Sequence, residues 1–408
     1  MNSFSINNTE YIIDNTLDNN FFVGIKIIND KYHLYFPIGF KAKGEYDDYY
    51  KKILRYLYKT VRLTKSIEKE SGYGNNSNNE KIIPIDSYIY LLSDYFSNGM
   101  YRYNEIKYKK ETKGKINWKR TFKNNFYIQH NMPVYLDTVI RYNKKEINII
   151  TLLQLYCVNK ATDMLAFMGD FNKPYSELSD VDINNNINYY NNLIDKEIKN
   201  TNNDKKQLLL MNIKNIINDC NCSDKYIRSF GTISYQYAFE KMIDKLFGSE
   251  QDLSEYYPTA LWYLDGDRKC FESSKLREDT IWKDDKKVYI IDSKYYRYGL
   301  EDYNDNLLPK TSAIHKQIVY GDYVFKKLQK EDGRNYEVYN VFVIPSDKDD
   351  FLRYKGVSKM KLLDDDLDFK KVYLLFINMN DVIDKYFNKE FNQIDKMINV
   401  IDKYKNII

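Results

Sequence analysis

The chain has few cysteines and no long hydrophobic run, and each shortage excludes a class of protein. Four cysteines among 408 residues (Cys157, Cys220, Cys222 and Cys270) are too few for a disulfide scaffold. Cys220 and Cys222 also lack the second pair that a zinc site needs. Apolar stretches such as residues 149–158 fall short of the ~20 residues of a membrane-spanning helix. No basic segment followed by an apolar one, typical of a secretory signal, is visible at the N-terminus. We therefore expect a cytoplasmic protein without a membrane segment.

No charge of one sign dominates the chain either. The 62 Lys and Arg residues against 58 Asp and Glu leave a formal net charge of +4, which by itself indicates no particular partner. Aromatic residues, in contrast, are abundant at 16%, and this much apolar surface excludes a chain that is mainly disordered. The length allows two or three domains.

Hydrophobic periodicity divides the chain into two halves of different character. In the first half, residues 21–36 predict two strands and residues 51–65 have the apolar spacing of a helix. An asparagine-rich stretch, residues 182–206, is compatible either with a linker or with an exposed pair of helices. We therefore expect an α+β N-terminal domain over residues 1–220 and a second domain over residues 221–408.

The second half predicts a mixed α/β core. Its elements follow the order helix, three strands, helix, strand, at residues 234–247, 259–264, 276–282, 287–295, 311–328 and 336–344.

Two carboxylates and a lysine mark one place in this core. Asp292 and Lys294 lie two residues apart at the end of an apolar strand and therefore share one face. Asp279 lies on the strand that is expected to pair with this one, so the hairpin can bring it alongside Asp292. Two converging carboxylates repel unless a cation lies between them, and hard oxygen ligands suit Mg²⁺. With Lys294 to stabilise developing negative charge, the set predicts a metal-dependent phosphodiesterase.

These residues resemble the PD-(D/E)XK nuclease motif, and the order of elements resembles the αβββαβ core of that fold. The resemblance implies Mg²⁺, with Mn²⁺ as a substitute, held by Asp279, Asp292 and Glu240 of the preceding helix. It also implies a site role for Gln317 in the following helix. Glu278 stands where the motif usually has proline. A D-x-K pair alone is more often a surface ion pair, and Glu240 and Gln317 are each as well explained as ordinary helix-surface residues.

A basic ribbon lies in the first half of the chain. Residues 101–123 carry nine basic residues against two acidic ones, with aromatic residues between them. Such patterning is typical of phosphate contact and stacking, although a solvated ribbon with lysines on its outer face explains it equally well. The expected DNA or partner contacts are Lys109, Lys110, Lys115, Trp118, Lys119 and Arg120.

The same region carries a second resemblance. Residues 97–103, 113–121 and 133–142, with the helix that begins near Ile147, are similar to the middle of McrC-type subunits, a family that includes the LlaJI-type restriction proteins. The resemblance runs roughly from Phe22 to Pro345. It implies a DNA endonuclease subunit of an anti-phage restriction system whose partner is an McrB-like AAA+ GTPase, and it leaves open a homodimer through the nuclease domain. No GxxxxGK[ST] motif occurs in the chain, so we expect no unaided nucleotide hydrolysis.

Two other functions remain open from the sequence. One is a self-sufficient Type II restriction enzyme whose first 220 residues read a DNA sequence. The other is a non-catalytic DNA-binding or partner-activating protein with a vestigial nuclease fold. Retention of Asp279, Asp292 and Lys294 argues against the second, and a neighbouring gene for a GTPase or for a lone methyltransferase would separate the leading hypothesis from the first.

Overall fold

The computed structural model describes most of the chain, in the following stretches: residues 2–6, 9–14, 21–29, 31–42, 47–71, 80–124, 126–135, 137–173, 182–220, 227–265, 270–276, 279–300, 305–333, 336–361 and 370–405. Glu278, at the position of the motif proline, lies outside these residues.

Both helices and strands occur throughout the described chain, so the predicted mixed α/β class is confirmed. The helices are α1 Asp47–Ser71, α2 Ile85–Asn98, α3 Trp118–Thr121, α4 Ile149–Met164, α5 Ile183–Asn200, α6 Asp204–Cys220, α7 Gln236–Phe247, α8 Thr311–Asp332, α9 Met379–Phe387 and α10 Ile394–Tyr404. The strands are β1 Asn2–Ile6, β2 Thr9–Ile13, β3 Val23–Ile28, β4 Lys31–Tyr35, β5 Glu80–Ile82, β6 Tyr103–Lys110, β7 Lys115–Ile116, β8 Tyr127–Gln129, β9 Met132–Val134, β10 Val139–Glu146, β11 Ile227–Thr232, β12 Leu261–Tyr263, β13 Cys270–Glu272, β14 Thr280–Lys283, β15 Lys287–Ser293, β16 Glu337–Ser346, β17 Leu352–Lys359 and β18 Lys371–Asn378.

The chain forms two compact units whose boundaries differ from the predicted division at residue 220. The first unit contains residues 1–5, 10–80 and 229–408, and the second contains residues 6–9 and 81–228. Residues 10–80 join the first unit because α1 packs on α7 and on β3. The apolar stripe of α1, which the periodicity identified, is buried in this contact.

A five-stranded sheet forms the centre of the first unit, in the order β14, β15, β16, β18, β17. The strands β15, β16 and β18 run parallel, while β14 and β17 are antiparallel to their neighbours. Both faces of β15 are covered, which explains its nearly continuous apolar sequence. On one face Val288 and Ile290 pack with residues of α8, and on the other face Tyr295, just beyond the strand, packs with Phe239 of α7.

The first of the three predicted strands does not join this sheet. Residues 261–263 form β12, which pairs only with β13 in a separate two-stranded hairpin among the described residues. All side chains of this hairpin are exposed, so burial does not hold it against the sheet. The second and third predicted strands correspond to β14 and β15, and the predicted helices at 234–247 and 311–328 correspond to α7 and α8.

The second unit combines a helical layer with small sheets. The helices α2, α4, α5 and α6 pack together, and α5 with the start of α6 accounts for the asparagine-rich stretch, which therefore forms a helix pair. The basic ribbon contributes β6 and β7 to a sheet in the order β6, β10, β7. Within the described residues, no helix has the length and apolar character that crossing a membrane requires.

Candidate active site

The hairpin formed by β14 and β15 brings Asp279 and Asp292 together. Thr280 at the start of β14 pairs with Ile291, so Asp279 and Asp292 occupy the next position along the two strands. The Oδ2 atom of Asp279 accepts a hydrogen bond of 2.8 Å from the backbone N–H of Ser293. Asp292 is buried although it carries a carboxylate, since only 8% of the whole residue is exposed. Two acidic side chains in this position need compensation by positive charge or by protonation.

Lys294 supplies part of that compensation. Its ammonium Nζ lies 2.5 Å from Oδ2 of Asp292 and 5.4 Å from the centre of the Phe342 ring. Its backbone N–H donates to the carbonyl of Val343 at 2.9 Å, which extends the parallel pairing of β15 with β16. Burial opposes the charged ammonium, but the adjacent carboxylate of Asp292 outweighs it and raises the pKa of Lys294. The lysine is therefore a fixed cation at this edge of the sheet.

Glu240 of α7 lies close enough to act on the same cluster. Burial, followed by the negative charge of Asp292, raises the pKa of Glu240 to about 7, and Lys294 partly opposes this rise. Burial and the charges of Asp292 and Glu240 likewise raise the pKa of Asp279. Burial and nearby negative charge thus disfavour ionisation of Asp279 and Glu240, so this buried cluster has a strong demand for positive charge.

Gln317 is not a helix-surface residue. It is only 1% exposed, and its Nε2 donates to the carbonyl of Ile290 at 2.9 Å. Ile290 lies two residues before Asp292 on β15, so this hydrogen bond fixes α8 beside the strand that carries the aspartate. The Oε1 atom of Gln317 has no hydrogen-bond partner among the described residues. Tyr320, one turn further along α8, lies in the hydrophobic core.

The donor set of the cluster fits a hard divalent cation. Mg²⁺ is usually held by one or two carboxylates, with water and substrate phosphate supplying the other oxygens. Asp279 and Asp292 meet this requirement, and Glu240 adds negative charge. In the part of the chain that the structure describes, no three His, Cys, Asp or Glu side chains are grouped so that they could hold a metal ion. Asp279 and Asp292 could thus offer two carboxylates to such an ion, with the remaining ligands supplied by water or phosphate.

The basic ribbon lies in the second unit and is exposed. Its expected contact residues are on β6, β7 and α3, and β10 pairs with both strands. Lys109 pairs with Glu111 at 2.7 Å, and the guanidinium of Arg120 lies 3.7 Å from the centre of the Tyr108 ring. Trp118 is 53% exposed and stacks on Phe122. The fold thus brings the predicted cations and aromatic rings onto one sheet and its adjoining helix.

Sequence reasoning missed two residues that build the site. Ser293, between Asp292 and Lys294, holds Asp279 through its backbone N–H. The position of Ser293 inside the D-x-K motif is the one sequence feature that could have pointed to this role. The residue type gives no further indication, because every residue except proline has a backbone N–H that can donate this bond. Tyr295 follows Lys294 and accepts a hydrogen bond of 2.8 Å from the backbone of Ile38. No sequence pattern connects residues 257 positions apart.

Two carboxylates and a lysine thus lie together where β14 begins and β15 ends, in the central sheet of a mixed α/β unit. The chain belongs to the LlaJI restriction endonuclease family, whose model matches residues 22–403. The predicted LlaJI resemblance is thereby confirmed, over a longer span than expected, and the membership indicates a nuclease of a restriction system.

Among solved structures, the chain is similar to one described as a refined half-complex from the tetradecameric assembly of Thermococcus gammatolerans McrB AAA+ hexamers with bound McrC. The identity is 11% and the TM-score 0.36, with 91% of this chain and 83% of the other covered. A TM-score of this size does not establish a shared fold. None of the curated proteins matches the chain.

Proposed function

We propose that the protein is a Mg²⁺-dependent DNA endonuclease of an anti-phage restriction system, with a PD-(D/E)XK site formed by Asp279, Asp292 and Lys294. The observation that carries the proposal is the pairing of Lys294 with Asp292 at 2.5 Å beside Asp279, in a chain of a restriction endonuclease family. Glu240 and Gln317 complete the site in this proposal.

The residues have distinct roles in hydrolysis of a phosphodiester. Asp279 and Asp292, with Glu240 nearby, would hold Mg²⁺ or Mn²⁺, and the bound metal would supply polarisation of the phosphate and a more acidic water. Lys294 stabilises the negative charge that develops on the phosphoryl oxygens, since its ammonium is held in place by Asp292. Gln317 keeps α8 against β15 and thereby fixes the strand that carries Asp292. Burial of the carboxylates limits water access and strengthens each of these interactions.

The proposal includes a partner. The chain has no P-loop, and in the second unit it exposes cations and aromatic rings on one sheet and its adjoining helix. In this proposal the second unit binds an McrB-like AAA+ GTPase, DNA or both, and the GTPase supplies the nucleotide hydrolysis that this chain cannot perform. Purified alone, the chain is expected to hydrolyse no GTP, and its addition is expected to raise the turnover of its genomic neighbour.

The decisive experiment is cleavage of supercoiled and linear plasmid by the full-length chain, with and without the neighbouring gene product and GTP. Cutting is expected with Mg²⁺ or Mn²⁺ and not in EDTA. Cutting that persists in EDTA excludes the metal-dependent mechanism. Robust cutting without any NTPase would instead favour the self-sufficient Type II enzyme, which the exposed cations of the ribbon also fit. A homodimer through the nuclease domain is measured in the same samples by light scattering.

A further inference from the structure

A short segment that follows β4 reaches the active-site edge of the central sheet. We name residues 36–41 the N-terminal bracket. The backbone N–H of Ile38 donates to the hydroxyl of Tyr295 at 2.8 Å. Gly39 lies directly on the backbone of Ser346: a Cβ at this glycine would come within 2.9 Å of it, and the φ of +80° also favours glycine. The bracket therefore contacts the chain just beyond β15 and at the end of β16.

The far end of the bracket is fixed by Lys41. Its backbone N–H donates to Oδ1 of Asn380 at 2.9 Å, and its carbonyl accepts from Nδ2 of the same side chain at 2.7 Å. Its ammonium pairs with Asp347 at 2.6 Å. Asp347 follows β16 and Asn380 follows β18, so the bracket joins the carboxyl ends of all three parallel strands.

This edge is the one that carries the proposed catalytic residues, because the carboxyl ends of parallel strands lie together. Three consecutive residues are anchored here. The N–H of Ser293 donates to Asp279 at 2.8 Å, the N–H of Lys294 donates to Val343 at 2.9 Å, and the Tyr295 hydroxyl is held by the bracket. Each anchor leads to a different element, so the short run after Asp292 has little freedom to move.

The ring of Tyr295 is held separately from its hydroxyl. Its centre lies 5.5 Å from the ring of Tyr235 and 5.7 Å from that of Phe239, the residue before Glu240. Tyr295 therefore connects three parts of the first unit: the N-terminal bracket, helix α7 with Glu240, and the strand end with Lys294. Removal of the hydroxyl alone takes away the hydrogen bond between Ile38 of the bracket and Tyr295 while leaving the ring packing in place.

We propose that Tyr295 is a positioning residue for the cleavage reaction, through which the N-terminal bracket holds Lys294 in its working geometry. The inference rests on the proposed nuclease function. A misplacement of about 1 Å in a reacting group can cost about a hundredfold in rate, so a single anchor beside Lys294 has a measurable effect. The nuclease site in this view includes residues from both ends of the chain.

The test compares Tyr295→Phe with the matched control Tyr256→Phe in the full-length protein. Tyr256 also belongs to the first unit and has one hydrogen bond to give up, to Glu331 at 3.3 Å, but it lies in the core beside α8. Single-turnover cleavage and DNA affinity are measured with Mg²⁺, and amide hydrogen exchange of residues 292–296 is measured without DNA or metal. Tyr295→Phe is expected to lower the cleavage rate about tenfold with unchanged DNA affinity and faster exchange.

Asn380→Ala provides a second, independent arm, because it removes both backbone hydrogen bonds of Lys41 without touching Tyr295, while the ion pair of Lys41 with Asp347 remains. It is expected to change rate and exchange in the same direction as Tyr295→Phe, whereas Tyr256→Phe changes neither. Three results would overturn the proposal. The first is unaltered hydrogen exchange in Tyr295→Phe, and the second is an unaltered cleavage rate despite faster exchange. The third is an equal loss of cleavage rate in Tyr256→Phe. If the wild-type protein does not cut DNA, the proposed function fails, while the exchange comparison still decides whether the bracket positions the strand end.

Discussion

The candidate active site and the basic ribbon use similar residues in opposite surroundings. In the site, Lys294 pairs with Asp292 where the two side chains are 18% and 12% exposed. In the ribbon, Lys109 pairs with Glu111 where they are 46% and 48% exposed. A buried pair is weakly screened, and removal of one partner leaves an uncompensated charge, whereas an exposed pair contributes little. Substitutions in the site should therefore act on chemistry, and those in the ribbon only on binding of a charged partner.

The largest expected effect is that of Asp292→Ala. Loss of one of the two carboxylates that are proposed to bind the metal should remove several kcal/mol of transition-state stabilisation, about a thousandfold or more in cleavage rate. DNA affinity should be retained or increased, because the substitution removes a negative charge near phosphate. Plasmid cleavage and a DNA-binding assay measure both. Asp285→Ala, in the exposed β14–β15 turn, is the control and should cut normally; an Asp292→Ala protein that still cuts would contradict the assignment.

Lys294→Ala should follow, with a loss of about a hundredfold to a thousandfold in cleavage rate, as for removal of a fixed donor to developing charge. Binding of Mn²⁺, measured by calorimetry or paramagnetic relaxation, should persist, since both aspartates remain. The exposed Lys286 provides a matched control, and Lys286→Ala should have no effect. Equal loss of metal binding and of cutting in Lys294→Ala would show that the lysine only holds Asp292 in place.

Glu240→Gln should have a smaller effect, about tenfold in cleavage rate, because its charge acts on the cluster from the neighbouring helix. The substitution keeps the shape of the side chain and removes a negative charge that, after burial and the charge of Asp292, contributes to the raised pKa of Asp279. The apparent Mg²⁺ affinity in a cleavage titration should fall at the same time. An unchanged Mg²⁺ dependence would remove Glu240 from the proposed metal site.

The ribbon should show the smallest effect on chemistry. Replacement of Lys109, Lys110, Lys119 and Arg120 by alanine should leave the intrinsic cleavage rate unchanged and weaken DNA binding. The slope of log affinity against log salt should fall by about 0.9 for each phosphate that the protein no longer neutralises. Since Lys109 already pairs with Glu111, the substitutions Lys110→Ala, Lys119→Ala and Arg120→Ala should account for most of the change. An unchanged slope with weaker partner binding would identify the ribbon as a protein interface.

Local sequence patterns determined most of the second half of the chain. A strand that is buried on both faces requires a continuous apolar run, as in β15. A helix that is buried along one stripe requires apolar residues at helical spacing, as in α7 and α8, so both patterns are visible in residues close together in sequence. The juxtaposition of Asp279 and Asp292 follows in the same way from a short hairpin, because register across a tight turn is local. The sequence did not predict that β12 pairs with β13 outside the central sheet, since a short alternating segment does not indicate which sheet it joins.

By itself, the sequence determined that Asp279, Asp292 and Lys294 lie together, and it determined the mixed α/β class and the restriction-endonuclease family, because all of these depend on short motifs and regular periodicity. Only the tertiary structure decided that Gln317 is buried against the backbone of β15 and that residues 10–80 pack with residues 229–408. It alone placed Ile38 on the hydroxyl of Tyr295. These contacts join residues that are distant in the chain, and packing selects such pairs through shape and hydrogen bonding that no local pattern records.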